Sequence, residues 1–419
     1  MNATKKHYVV IGAGIVGASC AWHLLKDGHD ITVIDSALPG QSTSFGNAGC
    51  ISCNAVIPFS YPGVIWQVPK WLIDPKGPLY IRWRDLNHLV PWLWKFWRAG
   101  TKQQVEAIAR AQTALMADVR IDYDRILSEV GAEWMRHKRG FIMLYDCQAH
   151  YRRDAWQFEL RQALGQEWQQ LSPTELHDLE PALAGGHEAA NRIALYDGTW
   201  QHLIDPAEVT RSIAEAAFAG GAQWLQGRVT GIETTEGGVR IRVTPGTAVD
   251  AHGVIIAAGV WSGELLKGLG AVVPLAAKRG YHTMVHNPNV ELSHPVMAAS
   301  RWVMMTPMRL GLRVAGTAEF AAIDAQPDYA RAKVLLDHAR HYLPQLEGES
   351  YSEWMGQRPM MPDSKPVIGP LPGHLNIWCA FGHGHYGLTQ GPTTGRIIAD
   401  LVAGRAPHLD LAPFAVDRF

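Results

Sequence analysis

Tyr8-Val9-Val10-Ile11-Gly12-Ala13-Gly14-Ile15-Val16-Gly17 decides the fold, because an apolar strand runs directly into a GxGxxG turn and on into a helix. The helix continues through Ala21, Leu24 and Leu25 and ends near Gly28; Ile31-Thr32-Val33-Ile34 then makes a second strand that closes on Asp35 and Ser36. This is a βαβ unit. Gly12 permits the tight turn, Gly14 lets the backbone approach a pyrophosphate, and Gly17 lets helix and strand pack closely. Residues Gly12, Ala13, Gly14, Ile15, Val16 and Gly17 are therefore candidate dinucleotide contacts, with the phosphates on the helix N-terminus. Asp35 is placed to accept hydrogen bonds from a ribose hydroxyl, and its charge argues against a 2′-phosphorylated cofactor. The alternative is a tight turn with a purely structural purpose.

The motif alone does not choose between NAD and FAD, so the choice falls to three further stretches. Ser42-Thr43-Ser44-Phe45-Gly46-Asn47-Ala48-Gly49 is rich in hydroxyls and glycine and suits the ribityl and pyrophosphate of a long cofactor, with Ser44, Asn47, Ala48 and Gly49 as candidate contacts. The competing reading is a flexible surface loop. Gly253-Val254-Ile255-Ile256-Ala257-Ala258-Gly259 reads as a buried strand returning to the cofactor. Val229, Ala258, Gly259 and Trp261 are expected beside it. Last, Gly382-His383-Gly384-His385-Tyr386-Gly387-Leu388-Thr389 is a glycine-rich turn feeding a helix, with Gly384, Gly387, Leu388 and Thr389 as candidates to hold charge at the pyrimidine end of a flavin.

Taken together these four stretches resemble the glycine-oxidase and D-amino-acid-dehydrogenase branch of the D-amino-acid oxidase superfamily, over nearly the whole sequence. Arg279-Gly280-Tyr281-His282 and Arg358-Pro359-Met360-Met361-Pro362-Asp363 add to the likeness, which is strongest to bacterial D-amino-acid dehydrogenases of the single-chain type, including D-hydroxyproline dehydrogenase-like members. The resemblance implies an α/β fold in which a Rossmann-like FAD-binding domain with a mostly parallel sheet is interleaved with an α+β substrate domain carrying a mixed or antiparallel sheet. It also implies oxidation of a Cα–N bond by hydride transfer to FAD. An arginine placed as Arg358 would grip the substrate carboxylate through a bidentate pair; the alternative is a surface arginine before a proline turn. Tyr281 resembles a tyrosine that supports the substrate, against a packed strand aromatic, and His385 is a third candidate. Some relatives attach the flavin to a cysteine where this sequence has Gly356, so non-covalent FAD is expected.

The chain of 419 residues is too long for a single core, and its net charge of −1 argues against general nucleic-acid binding. The expected division gives the cofactor domain residues 1–60, 185–268 and 350–419, and the substrate domain 61–184 and 269–349. Lys5 and Lys6 before an apolar run superficially suggest a signal peptide, but Gly12, Gly14 and Gly17 break that run. Five cysteines make no disulfide framework, which points to a reducing, cytoplasmic setting. Cys50-Ile51-Ser52-Cys53 opens a second reading as a dithiol–disulfide flavoenzyme, although no second GxGxxG is present for NAD(P)H. A third reading is a flavin-carrying electron-transfer subunit without turnover. No metal is expected at His383 and His385, which lack partners at ligand spacing.

Residues 66–98 hold Trp66, Trp71, Trp83, Trp92, Trp94 and Trp97, six of 16 tryptophans, with six Lys or Arg against Asp74 and Asp85, a balance of +4. Such a segment either packs as helix inside the substrate domain or rests on a membrane surface, where aromatic rings and cations meet anionic lipid. The second option, supported by the resemblance, places the enzyme on the inner face of the cell membrane beside a respiratory quinone or similar acceptor.

Overall fold

A computed structural model describes residues 5–74, 77, 79–82, 84, 86–185 and 189–419. His7–Ile11, Ile15–Lys26 and Asp30–Asp35 form the expected βαβ unit. Gly12 adopts a φ of +109°, and a Cβ there would lie 2.4 Å from the Ala257 carbonyl oxygen. At Gly17 a Cβ would lie 1.9 Å from the Gly12 oxygen. Both glycines are thus set by backbone contact with the turn and with the strand beyond it.

Among the described residues the first sheet runs in the order Gln223–Gln226, Asp30–Asp35, His7–Ile11, Gly253–Ile256, Ile377–Phe381, Val367–Pro370. Its strands are parallel except the last, which pairs antiparallel with Ile377–Phe381. Val9, Ile11, Ile34, Val254, Ile256 and Ile377 are buried on one face against the small antiparallel sheet of residues 228–251, and Tyr8, Val10, Ile31 and Val33 on the other against helices. Burial on both faces explains the unbroken apolar runs in these strands. Helix Gly387–Val402 crosses Ile15–Lys26 closely enough that a Cβ on Gly395 would meet the Ser19 backbone at 2.6 Å. Their N-terminal ends open on the same cleft.

The second sheet is mixed, with nine strands among the described residues, running from Ser350–Met360 through Ala276–His286, Gly311–Phe320, Val303–Met308 and Val296–Ala298 to Phe141–Tyr145, Ile193–Asp197 and Gln169–Leu171. Leu79–Ile81 pairs with Gly311–Phe320 off this path. Helix Ala330–Tyr342 covers one face, with Leu335 and Tyr342 in a core that includes Val285 and Val314. The other face turns toward the cofactor cleft. The expected α/β and α+β pairing is what the protein forms.

The expected domain boundaries depart from the packing in two places. Ser350–Met360 pairs along its length with Ala276–His286, and so lies in the second sheet rather than with the cofactor domain. Helices Lys102–Met116 and Val119–Glu129, placed with the substrate domain by their position, bury Leu115, Met116, Tyr123 and Ile126 in the same core as Val10, Ile15 and Ile397. The Tyr123 hydroxyl donates to the Leu388 carbonyl at 2.5 Å, fastening them to the last helix. Amphipathic helices carry no label saying which lobe their apolar face will meet.

The tryptophan-rich segment divides between buried and exposed positions. Trp92 is buried against Phe96 and Phe320 and donates to the Met360 carbonyl at 3.2 Å, while Trp71 packs edge-on against Trp302. Trp66, Trp94 and Trp97 stay 84%, 57% and 48% exposed. Trp83, Lys76 and Asp85 lie outside the described residues. No described helix is long and apolar enough to cross a membrane.

Candidate active site

A cleft of about 420 Å³ runs along the ends of the first sheet, within the usual range for small-molecule sites. Of the residues singled out from the sequence, Gly12, Gly14, Ile15, Val16, Asp35, Ser36, Ser44, Asn47, Val229, Ala258, Gly259, Trp261, Gly384, Gly387 and Leu388 line it. Gly14 leaves its backbone open there, since the nearest atom to a Cβ would be Ser44 Oγ at 3.4 Å. Ser44 Oγ accepts from the Ile15 amide at 3.0 Å at the start of the helix. The Asp35 carboxylate accepts from the Ala13 amide at 2.7 Å and the Ala37 amide at 3.0 Å, which aims it along the cleft wall.

Ala13, Gly17, Ala48, Gly49 and Thr389 do not line the cleft. Ala13 acts through its amide on Asp35, and Gly17 through its contact with Gly12. The Asn47 side chain accepts from the Gly49 amide at 2.9 Å. Thr389 Oγ1 accepts from the Ser52 amide at 3.1 Å and donates to the Cys50 carbonyl at 3.2 Å, tying that loop to the last helix. The loop is clamped from the second lobe as well. Arg313 donates to the carbonyls of Phe45, at 3.1 Å, and Asn47; Thr43 Oγ1 donates to Gln357 O at 3.0 Å. Trp354 lies across Gly46 and Gly356, where a Cβ on either would meet its ring at 1.9 Å.

An acid at the end of the second strand, an open glycine backbone at one helix N-terminus and a second helix N-terminus at Gly387 fit the ribose, pyrophosphate and ring ends of a dinucleotide in that order. The cleft also takes in Gln41, Ser42, Thr43, Glu264, Pro359 and Phe381, which sequence reasoning did not single out as contacts. Ser42 and Thr43 were inside the hydroxyl-rich stretch and marked by their side chains; the others carry no local signal.

At the Pro359 and Gly384 end of the cleft, the Gly384 amide donates to Pro359 O at 2.9 Å, which brings His385 beside Arg358. Lys278 stands directly opposite Arg358 in the strand register, and Gly280 opposite Gly356. The guanidinium lies over Gly280, where a Cβ would be 2.0 Å from Cζ. Arg358 donates to Thr317 O at 3.4 Å, and among the described residues neither Arg358 nor Lys278 has a carboxylate partner. Burial pushes Arg358 down to about 10. Burial, then the neighbouring Arg358, pushes Lys278 down to about 7. The Lys278 Nζ sits 4.2 Å from the Phe59 ring centroid, and that ring is 4.3 Å from His385. Burial first, then Lys278 and Arg358, hold His385 well below its ordinary value, and its Nδ1 has no protein partner among the described residues.

Tyr281 is not brought to this group. Strand alternation turns it to the opposite face, where its hydroxyl donates to Glu319 at 2.5 Å and accepts from the Asp328 amide at 3.0 Å. Arg279 lies on that face too, fully buried and donating to the carbonyls of Ala322, at 2.7 Å, and Gln326, at 3.2 Å. The residue of this strand that meets Arg358 is Lys278, one position before the RGYH motif, and only the pairing of the two strands brings it there.

Cys50 and Cys53 are free, and burial pushes their thiols up to about 12 and about 11, away from the depressed values of reactive cysteines. The described residues contain no group of His, Cys, Asp or Glu suited to a metal ion.

The family of proteins described as "FAD dependent oxidoreductase" (DAO) matches residues 7–401. A protein named D-amino-acid oxidase from Bradyrhizobium diazoefficiens is 34% identical over 99% of this chain and 99% of its own. One named D-amino acid dehydrogenase from Paramagnetospirillum magneticum is 32% identical over 98% of each. The crystal structure of glycine oxidase from Geobacillus kaustophilus covers 99% of this chain and 100% of its own with a TM-score of 0.76 at 22% identity, a likeness of fold. With the cleft, the two helix N-termini and this coverage in agreement, the chain belongs to the DAO family of FAD-dependent oxidoreductases.

Proposed function

We propose that this protein dehydrogenates the Cα–N bond of a small D-amino acid or a D-proline- or D-hydroxyproline-like imino acid and passes the electrons to a quinone-type acceptor. The observation that carries the reading is Arg358. A guanidinium without a carboxylate partner among the described residues, half-buried at the end of a cofactor cleft, is matched by the carboxylate of an amino acid. The relatives named D-amino-acid oxidase and D-amino acid dehydrogenase support the same substrate class. The quinone proposal rests on the exposed Trp66, Trp94 and Trp97, which suit contact with the membrane where such acceptors reside.

Bound FAD would supply the two-electron acceptor for a hydride leaving Cα. The protein's own contribution begins with placement. Arg358 fixes the carboxylate, and the Phe59 and Tyr386 rings give the hollow flat apolar walls. His282 and His383, both pushed down to about 3 by burial, stay uncharged at neutral pH and add no positive charge there. The imine formed from a primary amine hydrolyses to a keto acid and ammonia, whereas a cyclic substrate keeps its ring.

Anaerobic addition of single D- or L-amino acids, D-proline and cis-4-hydroxy-D-proline included, to the FAD-loaded protein tests this. Loss of the oxidised flavin absorbance with the D series is expected. Protein that carries FAD yet is bleached by no amino acid would overturn the reading in favour of an electron-carrier role.

A further inference from the structure

The two cations of the site differ in what they can do. Arg358 stays charged through the working pH range, whereas Lys278 is a group that can lose its proton there. Lys278 faces Arg358 from the neighbouring strand, Phe320 from the strand on its other side, Phe59 from its loop, and His385 from the glycine turn with Tyr386 beyond it. Glu319, next to Phe320 on the neighbouring strand, points to the opposite face with Arg279 and Tyr281. Among the described residues nothing that faces Lys278 carries a negative charge: the Tyr386 hydroxyl is pushed up to about 12 by burial, with Arg161 opposing, and His385 is neutral.

An amino acid enters such a hollow as a zwitterion. Its carboxylate satisfies Arg358, but its ammonium must lose a proton before the nitrogen lone pair can drive hydride from Cα. We propose that Lys278 is the catalytic base of this protein: it takes one ammonium proton from an amino acid whose carboxylate is seated on Arg358. One N–H bond of the substrate breaks, one N–H bond forms at Nζ, and a single positive charge passes from substrate to lysine with no change in oxidation state. The new ammonium meets a substrate carboxylate and the face of Phe59, two stabilising contacts that the free site offers only in part. A lysine neutral before binding also avoids the like-charge contact with Arg358.

The inference rests on the amino-acid reading above, and one titration separates the two. Propionate keeps the carboxylate and lacks the amine. Calorimetric titration of the FAD-loaded protein with propionate, in two buffers of different ionisation enthalpy, reads protons taken up on binding. Lys278 is largely neutral at pH 8.5 and the incoming anion favours its charged form, so uptake approaching one proton is expected there, falling toward zero at pH 6 where it is already charged. Lys278→Met and Lys278→Arg should bind propionate without that uptake; the arginine variant keeps size and charge, so it carries the test if the methionine variant does not retain FAD. In flavin reduction by the active amino acid, both variants should be slowed by about 10²-fold or more at pH 7 and regain rate tenfold per pH unit as the free substrate amine deprotonates. Equal proton uptake in wild type and variants, or an unchanged pH profile of reduction, overturns the proposal for Lys278. Failure of propionate to bind any of the three proteins removes the amino-acid reading itself.

Discussion

At the scale of single residues, the carboxylate-binding end of the site depends on a missing side chain at Gly280. Gly280 is the floor on which the Arg358 guanidinium rests, and the missing Cβ is what lets the arginine lie across the strand. Gly280→Ala should displace the guanidinium while leaving the cofactor cleft alone. The expected outcome is normal FAD content with kcat/KM lowered by about 30- to 150-fold, equal to the roughly 2–3 kcal/mol of a lost charged hydrogen-bond pair, measured by steady-state kinetics and flavin absorbance. Tyr281, its neighbour, should behave in the opposite way. Its hydroxyl serves Glu319 and the Asp328 amide on the covered face of the sheet, so Tyr281→Phe should cost about 1.5–3 kcal/mol in denaturant unfolding and leave kcat/KM within about twofold. A large kinetic loss with unchanged stability would return Tyr281 to the substrate side. The two residues also show where sequence reading stops. RGYH is a recognisable motif, yet which of its side chains faces the cleft is fixed by strand pairing, and pairing with Ser350–Met360 is not written in the motif.

At the scale of elements, the legible parts are those whose signal is local. The GxGxxG turn and its flanking strands could be read directly, because the turn, the backbone approach and the helix start all follow from residues adjacent in sequence. The Ser42–Gly49 stretch was legible as a cofactor loop but not for what holds it, since its clamps come from Arg313, Gln357 and Trp354, hundreds of residues away. Arg313 is the clearest case. Its guanidinium is almost fully enclosed, burial pushes it down to about 10, and its hydrogen bonds go to loop carbonyls. Arg313→Met should therefore free the loop without altering the first sheet. Its expected signature is a dissociation constant for FAD raised about tenfold or more, read by flavin fluorescence on dilution, with saturating FAD restoring most of the turnover. Loss of turnover that saturating FAD does not restore would place Arg313 in the reaction rather than in the loop.

At the scale of the whole molecule, two interleaved lobes follow from chain length and from strands that return to one sheet from distant segments, and that much was readable. The lobe to which each helix belongs was not, because Lys102–Met116 and Val119–Glu129 offer apolar faces that suit either core. The tryptophan-rich segment shows the same limit and leads to a measurement. In helix Leu86–Ala99, Leu89, Trp92, Leu93 and Phe96 turn inward, while Val90, Trp94, Trp97 and Arg98 face out. Trp66, on the helix Val64–Ile73 that shares a core cluster with Phe96, is the most exposed of the aromatic group. A soluble surface has little use for three exposed indoles beside basic side chains, whereas a bilayer interface accepts the rings at headgroup depth and the cations against anionic lipid. The FAD-loaded protein should accordingly sediment with vesicles containing phosphatidylserine and less with neutral vesicles, and raised salt should release it. Joint replacement of Trp66, Trp94 and Trp97 by Ala should lower the vesicle-bound fraction by about tenfold or more while anaerobic flavin reduction by the amino acid stays unchanged, because the exposed rings lie outside the cleft. Wild-type protein that remains in the supernatant with every vesicle composition would remove the membrane from this picture and leave the electron acceptor to be sought in solution.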